Sequence, residues 1–360
     1  MKNYLVKSIA LAITTFTMVS CSDNDEPTVD PVETATLKDA VTNTSNNIII
    51  NTYSNLNQKA NALHTAVNQL STSLTVENLT KAKNAWVETR VFWEQSEGFL
   101  YGPVDTEGID PAMDTWPVDV TAMNDILNSS SPITVSTLEN NNEARGFHLI
   151  EFLLWGENGT KTVDQFTPRQ LELLKAATQD LQNNTQKLFN GWAPSAGNFV
   201  DNFINPSPNV YPSYTAVLEE ITEGLIIIAD EVANGKIEDP LNSEGSTPNA
   251  ELEESRFSNN SKLDFADNMR SIQNVYLGVA NGVGNGKSLS SLVAAKNPTL
   301  DAKVKAAITE SINAINAIPG TFTTAIYNNR NEVKAAQVKV NDLHTILQAE
   351  LKPFVVNNLK

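Results

Sequence analysis

The sequence predicts an all-α protein built from two helical bundles, and three observations lead there. Apolar residues return every three or four positions through most of the 360-residue chain. The β-branched alternation with turn pairs that marks strands is essentially absent. Between residues 191 and 212, Gly191, Pro194, Gly197, Pro206, Pro208 and Pro212 interrupt the helical pattern and divide the chain in two.

The N-terminus reads as an address. Lys2 and Lys7 flank the start of a short apolar run, Ile9 to Val19, which is too short to remain as a membrane span. Residues 1–20 are therefore expected to be a signal peptide. Met18-Val19-Ser20-Cys21 resembles a bacterial lipobox, which makes Cys21 the lipidation site and first mature residue. Cys21 is the single cysteine, so intramolecular disulfides and thiolate metal sites are excluded. Residues 21–34 form an acidic, proline-containing tether. Its Ser22-Asp23-Asn24-Asp25-Glu26 run is similar to the surface-export signal of Bacteroidetes lipoproteins, the alternative being a merely solvated spacer. The expected location is the cell envelope, as an outer-membrane lipoprotein on the periplasmic or the cell-surface side.

The formal net charge is −17, and removal of Lys2 and Lys7 with the leader leaves about −19. Such a surface repels phosphate backbones and anionic lipid heads, which excludes nucleic acid and confines membrane contact to the Cys21 anchor. Cations are admitted.

Leu37, Val41, Ile48, Tyr53, Leu56, Leu63, Val67 and Leu70 predict a long first helix containing His64. Thr75 caps a second that runs to Leu100 and carries Arg90, Glu94 and Glu97 on one face beside Trp86, Trp93 and Phe99. The bland alternative for that stripe is a solvated Arg90/Glu94 pair worth about 0.3–0.5 kcal/mol. Residues 101–119 hold Gly102-Pro103, Gly108, Pro111 and Trp116-Pro117, so a loop is expected, and loops of that length are usually functional or well packed. A short helix follows near Val120 to Leu127, and another is expected from Ser136 or Thr137 to Gly156. Thr167-Pro168 then opens a helix to about Phe189.

The second half repeats the style, with helices from about Ser213 to Asn234, Ser261 or Lys262 to Leu277, Ser290 to Ala295, and Thr299 to Ile318. A last one, containing His344, runs from Thr323 to about Leu351 and breaks before Pro353. Gly286-Lys287-Ser288 lacks the preceding spacing of a phosphate loop. The expected bundles are residues 35–195 and 196–360.

The chain is organised around Arg145-Gly146-Phe147-His148-Leu149-Ile150-Glu151-Phe152-Leu153-Leu154-Trp155-Gly156. A helix apolar nearly all round is buried, yet Arg145, His148 and Glu151 climb one face at i, i+3 and i+6. Burying an imidazole and a carboxylate costs several kcal/mol unless partners or a metal compensate. The alternative is a satisfied core histidine.

Gly146-Phe147-His148-Leu149-Ile150-Glu151 with the following Phe152-Leu153-Leu154-Trp155-Gly156 resembles the GxHxxE signature of the imelysin family, also called the insulin-cleaving membrane protease family. Four further segments are similar in the same order: residues 85–102, Trp116-Pro117-Val118-Asp119, Glu254-Ser255-Arg256-Phe257-Ser258-Asn259-Asn260, and Ser271 to Gly278. The likeness runs from about residue 35 to the C-terminus. It implies two four-helix-bundle-like domains of related topology, packed side by side with the site in the groove between them. It further implies that Arg90, Glu94 and Glu97 and, from the other half, Arg256 and Ser258 converge on His148.

Imelysin-like proteins are associated with iron uptake, and the resemblance implies a metal or iron-related ligand. In that reading His148 and Glu151 ligate the cation, a divalent metal or iron, with Glu94 or Glu97 completing the set and Arg90 or Arg145 balancing charge. A variant has the groove bind an iron chelate, small ligand or acidic polymer through Arg90, Arg145 and Arg256, with Trp93 and Ser258 alongside. Other envelope uptake proteins are possible partners. The alternative is a metal-dependent peptidase, for which HExxH is lacking and His64 or His344 would have to join His148. A third reading is structural: the polar faces lock the bundles together while any ligand surface lies elsewhere.

Overall fold

The computed structural model describes residues 31–245 and 247–360. The expected leader, Cys21 and the tether up to residue 30 lie outside the described residues. Those described are helical with no strand among them.

α1 (Pro31–Asn43) continues through a π-helical stretch, Thr44–Ile50, into α2 (Asn51–Thr72). Two groups of four helices then pack together. The first consists of α2, α3 (Val76–Glu94), α4 (Gly146–Trp155) and α5 (Pro168–Trp192). The second contains α6 (Tyr214–Glu231), α7 (Ser261–Leu277), α8 (Pro298–Asn316) and α9 (Arg330–Ile346). Trp86, Trp93, Tyr53 and Phe147 fill the first core, and Phe265, Tyr276 and Phe322 the second. No helix among the described residues is long and apolar enough to cross a membrane.

The two groups meet where α3 packs on α7, and their contact is polar. Asn268 donates to Glu94 Oε2 at 2.6 Å, Gln95 donates to Asp267 Oδ1 at 2.8 Å, and the Gly98 amide donates to Ser271 Oγ at 3.0 Å. α6 comes in against the 3-10 turn Glu97–Phe99 at bare backbone: a Cβ on Gly224 would lie 2.3 Å from the Gly98 carbonyl oxygen.

Three boundaries differ from expectation. α3 ends at Glu94, because Ser96 Oγ donates to the Trp93 carbonyl at 2.6 Å and competes with the helical ladder, so Glu97 sits on the following turn. The long helix expected to lead into His148 is broken into Val135–Glu139, a 3-10 turn Asn142–Ala144 and extended Arg145. The last helix is interrupted at Asn329, and Pro353 lies inside the terminal helix Lys352–Asn358 rather than beyond a break. The proline is accommodated because the π-helical turn Leu347–Leu351 immediately before it widens the backbone ladder where its N–H is missing.

Gly146 explains the glycine of the GxHxxE motif. Its φ is +74°, and a Cβ there would lie 2.2 Å from the Met113 carbonyl oxygen. Gly146→Ala is expected to cost at least about 2 kcal/mol, from left-handed strain plus a backbone clash, and denaturant titration checks it.

Candidate functional site

Arg90, fully buried in the middle of α3, is the hub of the bundle junction. Its guanidinium contacts Glu94 one turn along, Asp114 from the 101–119 loop and Glu254 from the second half, with Asp264 of α7 at 3.7 Å from Nε. It also lies over the Phe147 ring at 5.1 Å. The solvated Arg90/Glu94 alternative is thereby excluded, since both side chains are fully buried.

His148 faces this hub from α4. Its Nδ1 is 3.2 Å from Glu151 Oε2, and Glu151 Oε1 is held in turn by the amide and hydroxyl of Ser258, each at 2.7 Å. With Nδ1–H directed at a carboxylate, Nε2 is the nitrogen that faces the cluster, an N–H donor while the ring is protonated and a ligand once a cation displaces that proton. That nitrogen is 3.1 Å from Asp114 Oδ1 and 3.6 Å from Glu254 Oε1, yet it is buried without an aligned hydrogen bond to either. Asp114 is fixed independently by Trp93 Nε1, which donates to Oδ2 at 2.6 Å, and the Trp116 ring closes edge-on over the imidazole at 4.8 Å.

A cleft of about 390 Å³ opens onto the cluster, with Glu97, Asp110, Asp114, Glu231, Lys236 and Glu254 on its walls. Glu97 is 5 % exposed, and its carboxyl has no hydrogen-bond or ion-pair partner among the described residues. Lys236 reaches in from the π-helical continuation of α6, Val232–Ile237, with Nζ 2.9 Å from Glu254 Oε2. Two sets of donor atoms converge within 4.8 Å: Asp114, His148 and Glu254, and Glu94, Glu97 and Asp114. Asp114 belongs to both.

Electrostatics divides the acids into two kinds. Burial pushes Asp114 upward, but Arg90 and His148 outweigh it and hold the carboxyl at about 2. Burial likewise opposes Glu254, which Lys236, His148 and Arg90 hold well below the usual range. Burial dominates at Glu94 and Glu97, both raised well above it, and lifts Asp110 and Asp264 to about 6. His148 is opposed by burial but raised by Asp114, Glu151 and Glu254. The junction thus carries more carboxyl groups than Arg90, Lys236 and a protonated His148 can neutralise, and burial pushes Glu94 and Glu97 toward the protonated form. One imidazole nitrogen with several carboxylates suits a hard or borderline cation, which would take the place of protons; these residues fit a metal ion.

Glu253, next in the chain to Glu254, provides a pH prediction of its own. Ser261 Oγ lies 2.6 Å from the Glu254 carbonyl and 2.7 Å from Glu253 Oε1. A hydroxyl has one proton to share between these two acceptors, so Ser261 compensates the buried Glu253 carboxylate only in part. Burial, outweighing bonds from Ser261 and Thr323, raises its pKa to about 7. A raised acid contributes stability that is complete below its unfolded value and lost as pH climbs through the folded one. Stability should fall between about pH 4.5 and 7 by no more than about 3 kcal/mol from this group. Urea unfolding across that range should show a flatter profile for Glu253→Gln.

Of the residues singled out from sequence, Arg90, Trp93, Glu94, Glu97, His148, Glu151 and Ser258 come together. Glu151 faces the far nitrogen of His148 and orients the ring, in place of the direct ligand role expected for it. Arg145 departs from expectation: it is the extended residue before α4 and forms a two-pronged pair with Asp180 at 2.7 and 2.9 Å, away from the cluster. Arg256 pairs with Glu157 at 2.6 Å and stacks on Phe257. His64 bonds to Thr178 and Asn68, and His344 lies 3.9 Å from Asp230, so neither joins His148 as a peptidase ligand. Asp114, Glu254, Lys236 and Asp264 were missed. Asp114 sits two residues before the Trp116-Pro117 pair and Glu254 opens the Glu-Ser-Arg-Phe-Ser segment, so both lay in stretches already marked.

Two four-helix groups that bury a histidine-bearing carboxylate cluster at their junction define an all-α protein with an acidic, polar seam between its halves. More narrowly, the chain belongs to the imelysin family, whose model, described as Imelysin, matches residues 49–349. It is 29% identical over 315 residues to "Iron-regulated protein A" of Synechococcus elongatus, covering 86% of this chain and 84% of that protein. A crystal structure from Parabacteroides distasonis, assigned as an iron-regulated protein A precursor, has TM-score 0.80 and 28% identity over 91% of this chain and 96% of that one. An imelysin-like protein from Psychrobacter arcticum 273-4 shares the fold at TM-score 0.73 and 14% identity, covering 89% of this chain and 96% of that one.

Proposed function

We propose that this chain is a cation-binding protein of the cell envelope, tethered through Cys21 and serving iron uptake, with its ion seated at Asp114 on the floor of the acidic cleft. His148 Nε2 and Glu254 offer ligands on one side of Asp114, and Glu94 and Glu97 on the other. The observation that carries this reading is the orphaned, buried Nε2 of His148, oriented from behind by Glu151 and aimed at two carboxylates. The iron-regulated names of two relatives support iron as the metal.

The cleft favours a bare cation over an anionic chelate or acidic polymer. Arg90, Arg145 and Arg256 are each taken by carboxylates of the chain itself. The cleft walls present several acids and one lysine.

Calorimetry with ferrous iron under anaerobic conditions, and with zinc and calcium salts, tests the reading. Near-stoichiometric binding is expected, weakened about ten- to a hundredfold in His148→Ala. Absence of saturable binding by the unaltered chain would end it. A lower melting temperature in His148→Ala with unchanged binding would favour a purely structural role for that histidine.

A further inference from the structure

Lys236 and Arg90 are both buried cations at the junction, but they are held differently. Arg90 is fully buried and its planar guanidinium is shared among four carboxylates. Lys236 lines the cleft, keeps 9% of its side chain exposed, and has one close partner, Glu254 at 2.9 Å. Glu94 lies 3.8 Å from its Nζ, and Glu231, whose side chain is 48% exposed at the rim, lies at 4.0 Å. A flexible four-carbon stem with one close contact can move where a four-way guanidinium cannot. Its origin also permits movement: Lys236 follows Gly235 in a π-helical stretch, and a Cβ on Gly235 would meet nothing within 4 Å.

We propose that Lys236 is an exchangeable internal cation, whose ammonium, seated against Glu254 and within 4 Å of Glu94, neutralises two of the ion's carboxylates when no ion is bound and swings toward Glu231 when a multivalent ion enters. This rests on the cation-binding reading above and adds a selectivity rule to it. A sodium or potassium ion replacing the ammonium brings the same single charge and must shed water, so it gains nothing. A divalent or trivalent ion brings added charge to the same carboxylates. Glu231 receives the displaced ammonium, so the lysine is never left without a counter-charge. Lys236 thereby sets a valence threshold for entry.

Manganese(II) and zinc(II) binding to the full chain, measured by calorimetry at low and high potassium chloride, tests this with Lys236→Met and Lys236→Arg. Lys236→Met should bind manganese about tenfold more tightly and lose more affinity to added potassium than the unaltered chain does. Lys236→Arg, which keeps the charge and can fork onto two carboxylates, should bind no more tightly than the unaltered chain. Equal or weaker binding by a folded Lys236→Met, when the unaltered chain binds, overturns the exchange and leaves the cation site standing. No binding by either protein overturns both. Reductive methylation of the unaltered chain, mapped by mass spectrometry, covers a variant that fails to fold. Bound manganese should accelerate modification of Lys236, and an unchanged rate with manganese bound would contradict the exchange.

Discussion

Arg90→Met is expected to be the most damaging single substitution at the junction, lowering folding stability by about 3–5 kcal/mol. The side chain is fully buried, and its removal would leave Glu94, Asp114, Glu254 and Asp264 facing one another with Lys236 as the remaining permanent cation. Methionine matches much of the volume, so the loss would come from uncompensated charge, with little from a cavity. The pH response distinguishes these. Without Arg90 the four carboxyls should titrate higher still, beginning from Asp264, which already stands at about 6. Raised acids give back stability as they protonate, so the variant should recover in part below about pH 6, whereas a packing defect would persist at every pH. Urea unfolding at pH 5 and pH 8 reads the difference.

Asp114→Asn should have the largest effect on binding, lowering cation affinity by about a hundredfold or more. Asp114 alone belongs to both donor sets, and it is kept ionised at about 2 by Arg90 and His148 against the push of burial. An amide keeps the shape but loses the charge and presents an NH₂ group to Arg90 or to His148. Its neighbours are held by other contacts: Glu254 by Lys236, and Glu151 by Ser258. The variant is therefore expected to fold and fail to bind, which calorimetry beside a thermal melt would show.

The helices were legible in the sequence because each long one repeats apolar residues at its own period and many carry a capping residue, as Thr75, Thr167 and Ser213 do. The all-α architecture followed from that. The breaks near Ser96, Arg145 and Asn329 were hidden, since the apolar period continues through or near them; at Ser96 the interruption comes from side-chain competition and at Arg145 from the left-handed glycine that follows it. On the site, His148 and Glu94 could be found because charged groups on apolar helices must meet partners. Asp114 could not be placed that way: on a loop there is no period to say which way a carboxylate points. Lys236 was hidden for a different reason, because a Gly-Lys pair after an apolar helix reads as an ordinary helix end, and only the π-helical continuation turns it inward. Arg145 misled through assumed helical geometry, as the extended backbone at that residue points its side chain to Asp180.

The measurement that most directly tests the cation site is anomalous scattering from crystals grown with zinc or manganese, collected above and below the metal edge. The expected result is a peak within about 2.0–2.3 Å of an Asp114 carboxylate oxygen, with His148 Nε2, Glu254, Glu94 or Glu97 completing the coordination. A metal bound only at surface carboxylates, with Arg90, His148 and Asp114 undisturbed, would contradict it and leave the junction as the ionic lock between two helical bundles.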